Sequence, residues 1–288
     1  VSFTMGTTTA AGLQALITAG GSVTVRLTDA VGNTSSAGAA VGLAVDYIVP
    51  TVTITSSRAS LITGQTATIT FTLSEGSSTF AAGDVTTTGG VLSGFASTSS
   101  TAYTATFTPT VSSTTNGVIS VGSGTFTDLI GNPNAAATPL TLTVDTAAPT
   151  VTSVQASPTS GTYRSGTALT ITVTFDDTVA VTTGGGTPTL SLNLGTTRTA
   201  TYVSGSGTNT LSFRYTTVDG DLATDLNYTA TTALVTGGGT IRDAAGNDAV
   251  LTLPALASAS SLAGTSAVIV DTVAPSAPTA LALTPIGG

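Results

Sequence analysis

The chain of 288 residues contains no cysteine, no histidine and no tryptophan. Lysine is also missing, and Glu75 and Met5 are the single glutamate and the single methionine. Without cysteine there is no disulfide framework and no thiol chemistry. Without histidine the commonest general base and zinc ligand is gone. Charged residues make up 7 % of the chain, against roughly 25 % in ordinary soluble proteins. Such scarcity fits a membrane protein or a disordered one, and neither description suits this chain. No apolar run approaches the roughly 18 residues of a spanning helix. A hydrophobic share of 40 % is too high for a disordered chain. The polarity that remains is threonine, serine and glycine, interleaved with valine and alanine. Threonine and valine are β-branched and favour pleated strands, so the composition implies an all-β fold. A net charge of −8 with six arginines argues against a nucleic-acid partner. An acidic, threonine-rich chain without cysteine or lysine fits export from a bacterium. The chain opens inside a repeat, so a signal peptide is out of view.

Internal repetition organises the sequence. Three segments match: Val45-Asp46-Tyr47-Ile48-Val49-Pro50, Val144-Asp145-Thr146-Ala147-Ala148-Pro149 and Val270-Asp271-Thr272-Val273-Ala274-Pro275. Each ends an alternating strand and runs into a proline. A second motif, D-x-x-G-N, recurs at 29–33, 128–132 and 243–247. Its aspartate lies 17 positions before the linker aspartate in the first two copies and 28 before it in the third, where an Ala-, Ser- and Leu-rich insertion intervenes. The expected division is a C-terminal part of a repeat at 1–46, a complete repeat at 47–145, a longer complete repeat at 146–271, and a linker with the first strand of another repeat at 272–288.

Inside the complete repeats the period is two. Ala67, Ile69 and Phe71 alternate with Thr66, Thr68 and Thr70, and Leu169, Ile171, Val173 and Phe175 alternate with Thr170, Thr172 and Thr174. That is the pattern of strands with one buried face. Further strands are expected at 103–108, 118–127, 140–144, 189–194, 199–203 and 211–216, separated by glycine turns such as Gly89-Gly90 and 184–186. About seven strands per unit predicts tandem immunoglobulin-like β-sandwich domains arranged end to end.

The order of short motifs resembles the bacterial Ig-like repeats of giant adhesins and other cell-surface proteins. The carriers are Ser74-Glu75, Asp84-Val85-Thr86, Gly89-Gly90, 103–109, 126–132 and 142–150, with a longer subtype marked by Gly161-Thr162-Tyr163, 202–207 and 243–248. The resemblance covers nearly the whole chain. It implies a stalk or scaffold of stacked domains, commonly stiffened by Ca²⁺, whose partners are the neighbouring repeats.

Topology then places the carboxylates. In a sandwich with termini at opposite poles, the B–C and F–G loops return to the pole of the incoming linker. D-x-x-G-N precedes the last strand and so forms the F–G loop, while Glu75 opens the B–C loop. Asp46, Glu75 and Asp128 should converge at one junction, and Asp145, Asp243 and one of Asp176 or Asp177 at the next. Carboxylates brought together repel unless a cation binds. Ca²⁺ suits them because it takes six to eight oxygens in flexible geometry, with backbone carbonyls and Asn132 or Asn247 completing the shell. The alternative is that these aspartates only cap turns, with Gly131 and Gly246 supplying positive φ. A second cluster, Asp219, Asp221 and Asp225, falls in the E–F loop at the far pole near Asp271. It lacks the later glycine and distal glutamate of an EF-hand, and it reads either as another Ca²⁺ site or as a solvated acidic loop.

Asn33-Thr34-Ser35 and Asn227-Tyr228-Thr229 match a glycosylation sequon. The tyrosines at 103, 163, 202, 215 and 228 read as core or corner residues, and Lys–Asn isopeptide bonds are excluded by the missing lysine. Nothing supplies enzyme chemistry. The functional expectation is a structural stalk of an adhesin or biofilm protein. The alternative is a subunit that self-associates into a surface layer, sheath or fibre, favoured by low charge and a mean hydropathy of +0.42. A lesser alternative is an accessory module of a secreted enzyme. No membrane insertion is expected in this segment.

Overall fold

The computed structural model describes residues 46–276, together with 22–23, 31–33 and 41–42. Strands β1 (Ser22–Val23) and β2 (Val41–Gly42) pair antiparallel. The first D-x-x-G-N copy and the first sequon lie largely outside the described residues, as does the strand expected after Ser276.

Residues 52–144 form a two-sheet sandwich. One sheet has the order β3 (Val52–Ser56), β5 (Ala67–Leu73), β8 (Ala102–Pro109), β7 (Gly90–Ser97). The other runs β4 (Ser60–Leu61), β10 (Leu140–Val144), β9 (Gly117–Val121), β6 (Val85–Thr88). The alternation in the sequence is realised directly: Ala67, Ile69, Phe71 and Leu73 are buried, while Thr68 and Thr72 face outward. Each buried aliphatic or aromatic side chain contributes roughly 1.5–3 kcal/mol of hydrophobic stabilisation. Phe107 fills the gap between the sheets because Gly90 and Gly117 leave room for its ring. A Cβ at either glycine would lie 2.5 or 2.6 Å from the ring's Cζ.

The strand expected at 118–127 stops at Val121. Gly124 takes φ +68°, and the buried side chain of Asn134 replaces the ladder there. Its amide donates to the carbonyls of Gly122 (2.7 Å) and Ala135 (2.8 Å), and its carbonyl accepts from the Phe126 N–H (3.0 Å). Side-chain hydrogen bonds thus satisfy backbone groups that alternation alone assigns to a strand.

Residues 151–271 form a second, larger sandwich. Its main sheet orders β11 (Val151–Ser157), β13 (Ala168–Thr182), β16 (Thr208–Thr216), β15 (Thr197–Ser204), β14 (Thr189–Asn193) and β18 (Asn227–Tyr228). The short strands β19 (Leu234–Val235) and β20 (Thr240–Arg242) add to β14 and β13. The facing sheet is β12 (Ser160–Tyr163), β21 (Ala267–Asp271), β17 (Leu222–Ala223). Strand β13 runs well past the expected Phe175. It changes partner midway, from β16 to β20, across a register shift between Thr174 and Val179.

The insertion in this repeat covers an edge. Strand β11 is the outer strand of its sheet, and its free N–H groups are taken up: Val154 donates to the Ser260 carbonyl (3.0 Å) and Ala156 to Ser266 Oγ (2.9 Å). A one-turn helix, Leu262–Thr265, is capped by Ser261 and buries Leu262. Covering an edge in this way blocks pairing with another chain.

Two glycine-rich turns, 184–186 and 237–239, lie backbone against backbone. A Cβ on Gly186, which has φ +148°, would sit 1.8 Å from the Gly237 carbonyl oxygen. Gly186→Ala must therefore displace main chain as well as strain φ. A loss of at least about 1–3 kcal/mol is expected, confined to the second domain's transition in differential scanning calorimetry.

Candidate metal centre

The entry pole of the first sandwich is built from three segments. The linker contributes Asp46, which closes a turn by accepting the Ile48 N–H on Oδ1 (2.9 Å). The end of β5 contributes Glu75. Ser74 N–H donates to the Thr51 carbonyl (3.0 Å), Ser74 Oγ accepts the Thr51 N–H (2.9 Å), and the chain then leaves the sheet. The loop between β9 and β10 contributes Asp128. An aromatic cluster of Phe71, Phe80, Phe95, Tyr103 and Phe126, with centroid spacings of 4.9–5.8 Å, fixes these loops from below. The hydroxyl of Tyr103 anchors the β5–β6 loop by donating to the Ser77 carbonyl (3.0 Å).

Asp46, Glu75 and Asp128 each offer an oxygen within 4.8 Å of the others, and they are the one such group of three among the described residues. Asp128 is buried, and Asp46 and Glu75 are partly buried. Asp128 Oδ1 accepts the N–H groups of Ile130, Gly131 and Asn132, and its Oδ2 accepts the Asn132 amide (2.7 Å). Burial raises the Asp128 carboxyl, but these hydrogen bonds outweigh it and the group titrates below the usual carboxylate range. Glu75 is held above its ordinary value, first by burial and then by the charges of Asp46 and Asp128. Its Oε1 is buried with no hydrogen-bond partner. Turn capping thus accounts for Asp128 and for one oxygen of Asp46. It does not account for Glu75, which shares a side-chain hydrogen bond with Asp46 and keeps Oε1 without a partner.

The second pole repeats the turn but not the triad. Asp243 Oδ1 accepts the Gly246 and Asn247 N–H groups, and Asn247 donates to Asp243 Oδ2 (2.7 Å). Asp145 Oδ1 accepts the Ala147 N–H (3.1 Å). The ladder register shows which residue takes the place of Glu75. Thr150 bonds Asp176 as Thr51 bonds Ser74, so Asp177 is the counterpart. Asp177 is one methylene shorter, exposed, and turned to the Thr178 N–H. Asp176 is committed to Thr150, accepting from its N–H (2.7 Å) and hydroxyl (2.5 Å). Asp145, Asp243, Asp176 and Asp177 therefore do not assemble into a three-carboxylate group. The Asn247 carbonyl accepts the Thr63 N–H (2.8 Å), and so it is not free to complete a shell.

At the far pole Asp221 separates from its neighbours. It is fully buried, bonded to Arg198 Nε (2.7 Å), the Tyr215 hydroxyl (2.6 Å) and the Val218 N–H (2.9 Å). Burial raises its carboxyl, but Tyr215, Val218 and Arg198 together hold it below the usual value. Burial, then the hydrogen bond to Asp221, pushes the Tyr215 phenol up to about 12, so it stays a donor. Asp219 and Asp225 are exposed, and neither joins a cluster with Asp221 or Asp271. The Asp271 side chain closes the same linker turn as Asp46, onto the Val273 N–H (3.1 Å). Thr272 donates its N–H and hydroxyl to the Asp221 carbonyl (3.1 and 2.8 Å). Arg198 was not marked by any sequence motif, since no spacing signals that a strand residue will reach a loop 23 positions away. Asn227 of the second sequon gives its amide to the Leu256 carbonyl (3.0 Å), and Tyr228 behind it is buried.

Two end-to-end, mostly antiparallel sandwiches, each with a linker aspartate and a D-x-x-G-N loop at its entry pole, define tandem Ig-like domains. Residues 46–144 and 145–258 each match a model of a bacterial Ig-like domain, the two models being different. The chain belongs to the bacterial Ig-like tandem-repeat family. No curated protein sequence matches it. Among solved structures it is similar to FdeC, an adhesin of Escherichia coli, with 16 % identity, 75 % of this chain and 63 % of that chain covered, and a TM-score of 0.36. It is also similar to the adhesin InvE of Yersinia pseudotuberculosis, with 17 % identity, 66 % and 57 % covered, and a TM-score of 0.26. A third likeness is to the I9–I11 tandem of titin, with 14 % identity, 67 % and 65 % covered, and a TM-score of 0.23. The chain thus spans under two thirds of the length of each. Superposition is loose at these scores, and the family match assigns the chain. Among the described residues no helix is long and apolar enough to cross a membrane.

Asp221→Ala leaves Tyr215, Arg198 and the Val218 N–H without their acceptor. A loss on the order of 2 kcal/mol is expected in the second domain. The depressed carboxyl of Asp221 contributes stability above its unfolded value of about 3.9, lost as pH falls through the folded value. Acid titration followed by circular dichroism should therefore show a shallower loss of stability in the variant than in the parent.

Proposed function

We propose that this chain is a stalk segment of a bacterial extracellular surface protein, of adhesin or biofilm type, in which Ca²⁺ bound by Asp46, Glu75 and Asp128 stiffens the entry to the first domain. The observation that carries the reading is the convergence of three carboxylates from linker, β5–β6 loop and β9–β10 loop. The donor set fits a hard cation with oxygen ligands, and the buried Glu75 Oε1, which has no hydrogen-bond partner, is available as one of them. A bound Ca²⁺ would offset the repulsion among the three groups and tie the linker to two loops. Interdomain freedom would fall, so the tandem would behave as a rod rather than a string.

A structural rather than enzymatic role agrees with the missing histidine and cysteine and with carboxylates gathered at a linker rather than in a cleft. Membership of the bacterial Ig-like family supports an extracellular, cell-surface location. The alternative, a subunit of a self-assembling layer or fibre, would draw on open edge strands such as β7. That edge carries a bulge between Ser93 and Ala96, a device that twists an edge away from pairing.

Thermal unfolding and small-angle scattering in millimolar Ca²⁺ and in EDTA test the stalk reading. Removal of Ca²⁺ should lower Tm and shorten the maximum dimension at constant mass. Unchanged values would refute the cation role, and growth in mass would favour the assembling subunit. Glu75→Gln separates repulsion from ligation. The folded carboxyl of Glu75 is raised, so its contribution is complete below about pH 4.3 and is lost as pH rises through the folded value. At pH 7 in EDTA the variant should melt above the parent, and it should lose most of the rise in Tm that Ca²⁺ gives the parent.

A further inference from the structure

The joint at Asp145 is closed by hydrogen bonds rather than by charge. The Asn247 amide donates to the Asp145 backbone carbonyl (3.0 Å) and to Asp243 Oδ2 (2.7 Å), and its carbonyl accepts the Thr63 N–H (2.8 Å). One side chain, 2 % exposed, therefore touches the second domain, the linker and the first domain at once. Thr63 lies in a tight turn closed by Gln65 N–H to the Ile62 carbonyl (3.0 Å), with Gly64 at φ +77°. That turn projects the Thr63 N–H out of the first domain. Its hydroxyl donates to the Thr146 carbonyl (3.0 Å), and Ile62 meets the Gly246 side of the loop.

The linker is pinned equally from behind. Thr146 is buried; its hydroxyl donates to the Thr110 carbonyl (2.7 Å) and accepts the Ser113 N–H (3.0 Å), and its own N–H donates to the Ser113 carbonyl (2.9 Å). Asp145 thus spans the joint, its N–H donating to the Leu61 carbonyl (3.0 Å) and its carbonyl accepting the Asn247 amide (3.0 Å), while Thr146 is held by the preceding domain. Among the described residues no third carboxylate joins Asp145 and Asp243 in a three-ligand group.

We propose that the Leu61–Gly64 turn and Thr146 form a docking surface for the D-x-x-G-N loop of the following repeat, and that at Asp145 this surface fixes the domain angle without metal. The two joints then differ in kind. The one at Asp46 takes its rigidity from Ca²⁺ on the reading above, and the one at Asp145 has rigidity built in. The inference does not depend on the first joint binding Ca²⁺.

The absence of cysteine makes the test direct, because two introduced cysteines are the sole labelling sites. Spin labels at Thr53→Cys and Gln155→Cys, on exposed strand positions either side of the joint, report the interdomain distance in the full chain by pulsed electron paramagnetic resonance. A single narrow distribution, the same in Ca²⁺ and in EDTA, is expected, and Asn247→Ala should broaden it in both. Thr63→Pro removes the same bond from the first domain's side and serves if Asn247→Ala fails to show both calorimetric transitions. A parent distribution that is broad in EDTA and narrows with Ca²⁺ overturns the proposal, as does a folded variant that keeps the narrow distribution. Failure of the Ca²⁺ reading at Glu75 would appear in the Tm experiment and leave these distances untouched.

Discussion

The hydrogen bond from the D-x-x-G-N asparagine to the backbone carbonyl of a linker aspartate sets the position of each domain on its linker. Asn132 makes it to Asp46 and Asn247 to Asp145, both at 3.0 Å. The asparagine can reach because the loop aspartate gathers the N–H groups of the following residues, with Gly131 and Gly246 at φ +107° and +104° completing the turn. With the asparagine placed, the carbonyls of Pro50 and Pro149 receive the N–H groups of Ala135 and Val250, seven positions beyond the loop aspartates. The entry strand then starts in register. The approach of the loop aspartate to the linker aspartate follows from this short segment of paired backbone.

A chain so poor in charge gains specificity from where its few charges fall. At the entry to the first domain three carboxylates share one pole, and the glutamate pays in desolvation and repulsion. At the next joint the corresponding position carries a shorter side chain facing solvent, and a neutral amide occupies the centre. At the far pole of the second domain the single buried carboxylate has an arginine and a tyrosine to itself. These are three different settings for a carboxylate whose burial is costly: crowding with like charges, which on the proposal above a cation offsets, then avoidance, and a permanent partner.

The strands were legible because their pattern has a local cause. Threonine alternating with Ile, Val or Phe in β5 and in the first half of β13 buries one face of a pleated strand, whatever the partner strand is. The linkers and the D-x-x-G-N loops were legible because they repeat. The failures have equally definite causes. The expected 118–127 strand ends at Val121 because Asn134 supplies hydrogen bonds from a later segment. Strand β13 outruns its alternation because β20, some sixty residues on, pairs with its second half. The insertion before Asp271 shows only an Ala-, Ser- and Leu-rich composition in sequence, yet it covers the free edge of β11.

The sequence by itself determined the all-β class, the tandem Ig-like organisation, and the gathering of Asp46, Glu75 and Asp128 at one pole, since strand direction alternates and fixes which loops share an end. Tertiary structure alone decided that Asp177 would not do for the second joint what Glu75 does for the first. It also decided that Asp221 would be claimed by Arg198, and that Thr63 would meet Asn247 across 184 residues. Topology places a residue at a pole, to within a loop's width. Whether two side chains meet there depends on a methylene of length, a rotamer and a competing hydrogen bond, and those are set by packing between segments far apart in the chain.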